Sequence, residues 1–441
     1  TLCSLPRTAQ AYVRDVVSAF RQIPTAASQW PSTVVEWEGR FYIDTFLAFG
    51  LGPACGAFGL FADAFADIVR RKGIAVTSHW VDDNIFLRVP VPALDQVNAA
   101  RAAKRRRMAT TPTAQRGRLS WLDADGNQHD DDYTGPLRVQ PGAEDGYNCG
   151  ISDIVAVSDA LGWPWEPRKD APWSHIFDFT GIRFNIVTRE VALPEKKRLK
   201  YLRSIAEWKA RGSRHQLSEA QSLHGKLEHA RLVFIDGKWH LKGLIDFIAS
   251  AEREPERRYQ LRHSGSRIGA DLDWWERQLR LDNHWRCFDP PPPSDVSCFC
   301  DGSTSYGAGL HIAGVERSFP LRAEFVGNVD IKVVEALALE LAVRTVVLLG
   351  HNNKAIIIHS DSTAVIGAYE NGEMDSAQPN AVLERVAALE HAHSLRVHLR
   401  YINTKDNPAD VPSRGAANSN PRRLPLPDLP DCVSCWFGPS W

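Results

Sequence analysis

A run of four consecutive prolines at residues 290–293 constrains this chain more than any other feature of its sequence. Consecutive prolines favour a stiff, extended polyproline helix, which acts as a spacer and not as part of a packed element. The charge balance also changes across the run. Lys and Arg outnumber Asp and Glu by 20 to 13 in residues 196–290, and are outnumbered by 17 to 12 in residues 291–441. We therefore expect a domain boundary, with a proline linker at 290–294.

Length and composition limit the class of protein. A chain of 441 residues is longer than one hydrophobic core supports, and 44% hydrophobic with 24% charged residues is usual for a globular protein. No apolar stretch is long enough to span a membrane, and residues 1–11 lack the regions of a signal peptide. Eight cysteines are too few for a disulfide framework, so reduced thiols and an intracellular location are expected. The net charge of −1 disfavours a nucleic-acid-binding protein only until the basic 196–290 segment is considered separately.

Three acids in residues 1–100 lie on predicted strands. Asp15 belongs to a short apolar strand at 12–17, and the segment 77–87 predicts a hairpin with Asp82 and Asp83 at its turn. Two adjacent carboxylates at the tip of an apolar hairpin are costly unless they are neutralised. Magnesium is a natural partner, because hard oxygen ligands hold it for phosphoryl transfer. A solvated turn is the alternative for the Asp pair considered alone.

The order of these segments resembles the palm of reverse transcriptases. The family's three motifs are matched by Asp15 with Phe20, by Phe49-Gly50-Leu51 with Ala54 and Phe58, and by Val81-Asp82-Asp83. The resemblance implies that Asp15, Asp82 and Asp83 hold two metal ions and that Phe20 excludes a nucleotide 2′-hydroxyl. It also places Phe49 and Gly50 at the substrate. Residues 179–184 and 193–196 are similar to the primer-grip hairpin and thumb entry of DIRS-type and gypsy-type retrotransposon polymerases.

This resemblance also implies a domain arrangement. The expected fold is α/β, with an antiparallel palm at 1–195 that includes an irregular insertion at 98–150. A helical, basic thumb or connection follows at 196–289, where Lys196 and Lys226 would contact the nucleic-acid backbone. Family members carry a fingers region before the first motif, whereas only fourteen residues precede Asp15. We therefore expect a fragment, a processed product or a decayed copy.

Four further acids follow the prolines, and each lies at the end of a predicted element. Asp301 lies on a predicted hairpin, Glu335 opens a predicted helix, Asp361 ends a buried-type strand, and Asp410 follows another strand. Carboxylates in these positions can converge at one edge of a mixed sheet and bind two divalent ions for phosphodiester hydrolysis. Taken one at a time, each is as well explained by a surface acid or a helix cap.

As an ordered set, these acids resemble the catalytic positions of ribonuclease H. The matching segments are Asp301-Gly302-Ser303, Glu335, Asp361-Ser362 and Asn407-Pro408-Ala409-Asp410. The resemblance implies a mixed-sheet α/β domain at 295–416, followed by an extended tail at 417–441. Glu340 is the competitor for Glu335, and Asp406 is the competitor for Asp410. Cys298 and Cys300 are predicted to be packed thiols, and the role of Cys432 and Cys435 stays open.

Together the two resemblances imply an RNA-directed DNA polymerase with ribonuclease H activity from a retroelement. The implied cofactor is Mg²⁺, with Mn²⁺ as a substitute, and the implied partners are an RNA template, a DNA primer, an RNA–DNA hybrid and dNTPs, with no membrane. The oligomeric state stays open. One alternative is a ribonuclease H whose palm does not polymerise. The other is a decayed nucleic-acid-binding module, although all seven acids are present.

Overall fold

The structure is a computed structural model. It describes residues 2–107, 113–115, 118–122, 128–129, 135–254, 256, 259–281, 284–372, 374, 376–416 and 422–438.

Strands and helices are interspersed along the chain. The strands are β1 (Gln10–Asp15), β2 (Val34–Trp37), β3 (Arg40–Ile43), β4 (Val76–Trp80), β5 (Asp83–Arg88), β6 (Thr113–Gln115), β7 (Arg118–Leu122), β8 (Gln128–His129), β9 (Ala171–Ser174), β10 (Ile176–Phe179), β11 (Ile182–Asn185), β12 (Glu190–Ala192), β13 (Arg214–His215), β14 (Arg262–His263), β15 (Trp285–Cys287), β16 (Ser294–Gly302), β17 (Gly307–Ile312), β18 (Val315–Pro320), β19 (Ala355–Ser360) and β20 (Arg396–Tyr401). The α-helices are α1 (Ala54–Arg71), α2 (Leu94–Arg107), α3 (Ile151–Leu161), α4 (Glu195–Ala210), α5 (Leu217–Arg231), α6 (Lys242–Glu252), α7 (Ser266–Arg280), α8 (Ile331–Leu348), α9 (Thr363–Asn371), α10 (Ala377–Ala392), α11 (Asp410–Ser413) and α12 (Asp431–Ser434).

The chain divides into two compact units. The first unit comprises Thr1–Lys200 with Leu281–Asp289, and the second comprises Tyr201–Arg280 with Pro290–Trp441. The third and last crossing point lies between Asp289 and Pro290, where the proline run begins.

The first unit is built on two antiparallel sheets, with strand orders β4-β5-β1-β9 and β10-β11-β12-β15. Val13 of β1 and Ile85 and Leu87 of β5 are buried in one apolar cluster, and Phe86, between Ile85 and Leu87, is buried in another, so β5 is covered on both faces. Helix α1 buries Phe58 and Phe65 in two further apolar clusters. The predicted strand at 12–17 and the predicted hairpin at 77–87 are confirmed.

In the tract at 98–150, expected to be irregular, the described residues include most of helix α2 and three short strands. Residues 135–150 form turns and irregular backbone, in which Leu137, Asn148 and Cys149 are buried. The Asn148 side chain donates to the Ile74 carbonyl at 2.8 Å and accepts from the Val89 amide at 2.8 Å. The Asn148 side chain thus holds this segment next to β4 and β5. Polar contacts of this kind produce no apolar periodicity in the sequence.

The second unit contains a five-stranded mixed sheet of order β18-β17-β16-β19-β20. Strand β16 pairs antiparallel with β17 and parallel with β19, and β19 pairs parallel with β20. Helix α8 packs its apolar residues against this sheet, where Cys298 and Cys300 are buried as predicted. In the helices at 201–280, three tryptophans form part of the packed interior: Trp208, Trp239 and Trp275.

Both units combine helices with sheets, so the predicted α/β class is confirmed. The first unit has antiparallel sheets, and the second has a mixed sheet with helices. Within the described part of the chain, no helix has both the length and the apolar character that crossing a bilayer requires.

The expected extended tail at 417–441 packs into the second unit at residues 422–438. Leu424, Val433 and Phe437 are buried in its core, and Phe437 forms a β-bridge with Leu321. The sequence suggested an extended tail because of its prolines. The apolar residues between them nevertheless bury surface that would otherwise face water.

We expect Leu424→Ala to lower the free energy of unfolding by about 2–5 kcal/mol, because it removes a buried side chain and leaves a cavity. Leu426→Ala is the matched control, since Leu426 lies two residues away and is exposed; its effect should stay within about 0.5 kcal/mol. Denaturant unfolding followed by circular dichroism measures both variants. Equal effects of the two substitutions would contradict the packing of the tail.

Candidate active sites

Strand pairing brings the three acids of the first unit together. Asp15 is the last residue of β1, and its Cα partner across the ladder is Asp83, the first residue of β5. Asp82 lies in the tight turn between β4 and β5, where Val81 has a φ of 55°. The Val16 amide donates to the Asp82 carbonyl at 3.1 Å, which fixes this turn beside the end of β1. The three carboxylates therefore lie at one end of the sheet.

These carboxylates act on one another electrostatically. Burial raises the pKa of Asp82, and the Asp15 carboxylate adds to that rise. Burial also raises the pKa of Asp83, with further increases from Asp82 and Asp15, while the Lys169 and Lys197 ammonium groups oppose them. The site therefore concentrates negative charge in partly buried surroundings, which favours a cation.

Lys169 faces this group of acids. Its Nζ forms an ion pair with Asp15 Oδ2, and this contact, with the other two carboxylates, raises the pKa of Lys169. A cavity of about 440 Å³ adjoins the pair. Its lining includes the three acids, Lys169 and the Phe179–Gly181 turn between β10 and β11. One cavity thus joins the acids to the hairpin predicted as a primer grip.

The predicted substrate-contacting residues of the first unit occupy different surroundings. Phe20 is buried, and its ring lies 5.4 Å from that of Phe49 and 6.1 Å from that of Phe58. Phe49 is exposed, and Gly50 has a φ of 90°, in the left-handed region that favours glycine. Lys196 is exposed at the start of α4.

Lys226, the substrate-contacting residue predicted in the second unit, is in α5 and already has a protein partner. Its Nζ donates to Ser204 Oγ at 2.9 Å.

In the second unit, strand order brings Asp301 and Asp361 together. Asp301 lies near the end of β16, and Asp361 directly follows the neighbouring parallel strand β19. Two glycines allow helices to approach Asp301. A Cβ on Gly302 would lie 2.7 Å from the Glu335 amide nitrogen, and one on Gly309 would lie 2.3 Å from the Ser413 amide nitrogen. Glycine at both positions therefore lets α8 and α11 close on the acid.

Each acid of the second unit has a hydrogen-bond donor from the chain. Ser362 Oγ donates to Glu335 Oε2 at 2.6 Å, and Asn407 Nδ2 donates to Asp361 Oδ1 at 3.3 Å. The Ser413 hydroxyl donates to Asp301 Oδ2. Asp410 instead pairs with a cation, because Arg414 Nε donates to its Oδ1 at 2.8 Å. Three neutral donors and one guanidinium therefore orient the four carboxylates.

Burial and neighbouring carboxylates raise the pKa of two of these acids. Burial raises the pKa of Asp301 to about 6, with contributions from Asp361 and Asp410 that the Ser413 hydrogen bond partly offsets. Burial and Asp361 likewise raise the pKa of Glu335. The four predicted acids thus form one electrostatic group.

The competing acids are placed differently. Glu340 is fully buried, and Arg344 and Arg385 both donate to its carboxylate, at 2.8 Å and 2.7 Å for the closest contacts. Asp406 is exposed in the turn Thr404–Asp406. The geometry therefore favours Glu335 and Asp410.

The donor chemistry of both groups fits a divalent cation, since carboxylate oxygens are hard ligands and their mutual repulsion is relieved by positive charge. The described residues contain no group of three or more His, Cys, Asp or Glu side chains already arranged to hold a metal ion. In this conformation Lys169, Ser413, Ser362, Asn407 and Arg414 occupy carboxylate oxygens. A metal ion bound at either group would replace some of these hydrogen bonds and ion pairs.

Lys169 and Lys197 were not predicted at the first acid group. Lys169 lies in a loop after β5 and α3 with no motif around it, and no sequence signal indicated it. Lys197 belongs to the basic 196–290 segment, and its charge acts on Asp83.

Comparisons with known proteins give structural similarities only. No protein-family model matches the chain, and no curated protein matches it. A foamy viral protease-reverse transcriptase in complex with an RNA/DNA hybrid aligns over 96% of this chain and 48% of its own, with 15% identity and a TM-score of 0.41. A second foamy viral structure, with double-stranded DNA, aligns over 91% and 58%, with 14% identity and a TM-score of 0.40. The chain spans about half the length of the first structure.

We expect Asp301→Asn to stabilise the metal-free protein at pH 7. The folded-state pKa of Asp301, about 6, lies above its ordinary value of 3.8, so its protonated form is favoured by folding. That stability is fully present below pH 4 and is lost as the pH rises through 6. In EDTA, the neutral amide should raise the thermal midpoint by about 2–6 °C at pH 7 and by less at pH 4. Scanning calorimetry measures this difference, with the exposed Asp406→Asn as the control; a lower midpoint at pH 7 would contradict it.

Proposed function

We propose that this chain is an RNA-directed DNA polymerase with ribonuclease H activity, derived from a retrotransposon of the DIRS or gypsy type. One observation supports this proposal above all. Each unit collects acids from distant parts of its sequence at the end of a sheet. Burial and the neighbouring carboxylates raise the pKa of Asp82 and Asp83 in the first unit, and of Asp301 and Glu335 in the second. Perturbed carboxylates grouped in this way are typical of functional sites.

The proposed polymerase site is the cavity of the first unit, in a palm at 1–195. In each unit separately, the acids would hold divalent cations, Mg²⁺ or Mn²⁺. These cations would neutralise charge on the reacting phosphate and lower the pKa of the attacking hydroxyl or water. Asp15, Asp82 and Asp83 would serve as the ligands here. The Phe179–Gly181 turn lines the same cavity and would position the primer end.

Cations and aromatic residues of the first unit would select the incoming dNTP. Lys169 and Lys197, whose charges act on Asp83, would attract its phosphates. Phe20 would exclude a 2′-hydroxyl, with its ring buttressed by Phe49 and Phe58. The turn at Gly50 would let the backbone approach the substrate.

The proposed hydrolase site is the acid group of the mixed sheet at 295–416. Asp301, Glu335, Asp361 and Asp410 would be the ligands, and Ser413, Ser362 and Asn407 would hold three of them in orientation. Edge strand β20 ends beside this site, because Tyr401 is the Cα partner of Ser360. Its exposed Arg400 and Tyr401 would contact the hybrid through phosphates and sugars, so shape and 2′-hydroxyls would be recognised and not base sequence.

The basic helical segment at 196–289 is proposed as a thumb or connection that holds the primer–template duplex. Lys196 is exposed and would contact phosphate. Lys226 would exchange its hydrogen bond with Ser204 for a phosphate oxygen.

Substitution of one acid in each unit should separate the two activities. We expect Asp83→Asn to reduce primer extension at least a hundredfold while hybrid cleavage is retained, and Asp361→Asn to do the reverse. A hundredfold loss corresponds to about 2.7 kcal/mol of transition-state stabilisation. Both assays use the same preparation with Mg²⁺, a labelled primer–template and a labelled RNA–DNA hybrid.

Acids outside both groups supply matched controls for this experiment: Asp67→Asn on α1 and the exposed Asp406→Asn near the hydrolase site should change neither activity more than twofold. Cleavage without extension by the unsubstituted chain would leave a ribonuclease H with a palm that does not polymerise. If the unsubstituted chain showed neither activity but still bound the hybrid, it would instead be a nucleic-acid-binding module.

A further inference from the structure

Lys169 is delivered to the first acid group by a loop that is anchored on both sides. The Glu166 amide donates to the Asp15 carbonyl at 2.9 Å. On the other side, Asp170 pairs with Arg14 of β1 at 3.0 Å. The loop therefore places Lys169 beside Asp15 through contacts that do not involve the ammonium group.

The two partners of the ion pair differ in their exposure. The Lys169 side chain is 65% exposed, whereas the Asp15 side chain is only 8% exposed. The carboxylate thus has little access to water, and the ammonium is its nearest source of positive charge. The exposed stem of Lys169 can turn into solvent, but the buried Asp15 carboxylate would then lack its counter-ion, so the ammonium leaves when another cation replaces it.

The charge of Lys169 also acts beyond Asp15. Its side chain lines the same cavity as Asp15, Asp82 and Asp83, so the ammonium lies near all three carboxylates. A cation in this position relieves the repulsion among the acids.

We propose that Lys169 is a built-in counter-ion, which holds the cation position beside Asp15 when the site is metal-free and which a divalent ion has to displace. The proposal rests on the proposed function, in which Asp15 is a metal ligand. Lys169 then sets the affinity of the site for divalent ions. Without it, the ion meets three carboxylates and no competing ammonium.

Calorimetric titration of Mn²⁺ into the full-length chain tests the proposal directly. Asp301→Asn and Asp361→Asn are included in every variant, so that the second acid group does not dominate the signal. Lys169→Met keeps the length of the side chain and removes its charge, and should bind Mn²⁺ threefold to tenfold more tightly. Arg168→Met is the matched control, because it removes an exposed charge one residue away, and should change the affinity less than twofold.

A second readout guards against loss of fold. In EDTA, Lys169→Met should lower the thermal midpoint, since three carboxylates lose their counter-ion, and Mn²⁺ should then raise the midpoint more than in the parent. Lys169→Arg keeps the charge and should retain the parental affinity within twofold.

The outcomes separate this inference from the proposed function. Tighter Mn²⁺ binding by Lys169→Met alone supports the counter-ion. Equal or weaker binding by Lys169→Met, with measurable binding by the parent, overturns the counter-ion and leaves the metal site intact. Absence of Mn²⁺ binding in the parent and in Lys169→Met overturns both the counter-ion and the polymerase metal site.

Discussion

Repulsion between neighbouring carboxylates is the constraint on which both units of this molecule depend. Acids that would separate in an unfolded chain are held together by backbone pairing, such as the Cα partnership of Asp15 with Asp83 and the parallel pairing of β16 with β19. Neither pairing involves the carboxylates themselves, so the apolar cores beneath the sheets offset the repulsion. In the second unit, Gly302 and Gly309 add to the crowding, because a side chain at either position would force α8 or α11 away from Asp301.

The two acid groups are compensated in different ways. In the first, the ammonium of Lys169 offsets charge directly. In the second, Arg414 pairs with Asp410, while Ser413, Ser362 and Asn407 are neutral donors, which orient the other three carboxylates without cancelling their charge. Burial raises the pKa of Asp301 to about 6, and the Asp361 and Asp410 carboxylates add to that rise. Most of the second group therefore relies on neutral hydrogen bonds, whereas Asp15 in the first has a direct counter-ion.

The sequence indicated the strands and hairpins that carry the acids where one local signal was enough. Asp82 and Asp83 at the turn of an apolar hairpin and Asp361 after a buried strand required only local periodicity. The interactions that join distant segments left no such signal. Lys169 reaches Asp15 from 154 positions away, and Leu424 is buried although prolines surround it. Residues 135–150 are held by the side chain of Asn148, which periodicity cannot indicate.

The partner of a carboxylate distinguishes a structural acid from one that is available for chemistry. Glu335 and Glu340 lie five positions apart on α8, yet Glu340 is fully buried between Arg344 and Arg385, whose side chains are 15% and 25% exposed. Removing both arginines would leave a fully buried charge unpaired, so this acid is held by its partners. The cations on Asp15 and Asp410 are Lys169 and Arg414, which are 65% and 60% exposed, so each can turn into solvent when another cation replaces it. Exposure of the cation, and not the presence of an ion pair, therefore marks the acids that can take a new ligand.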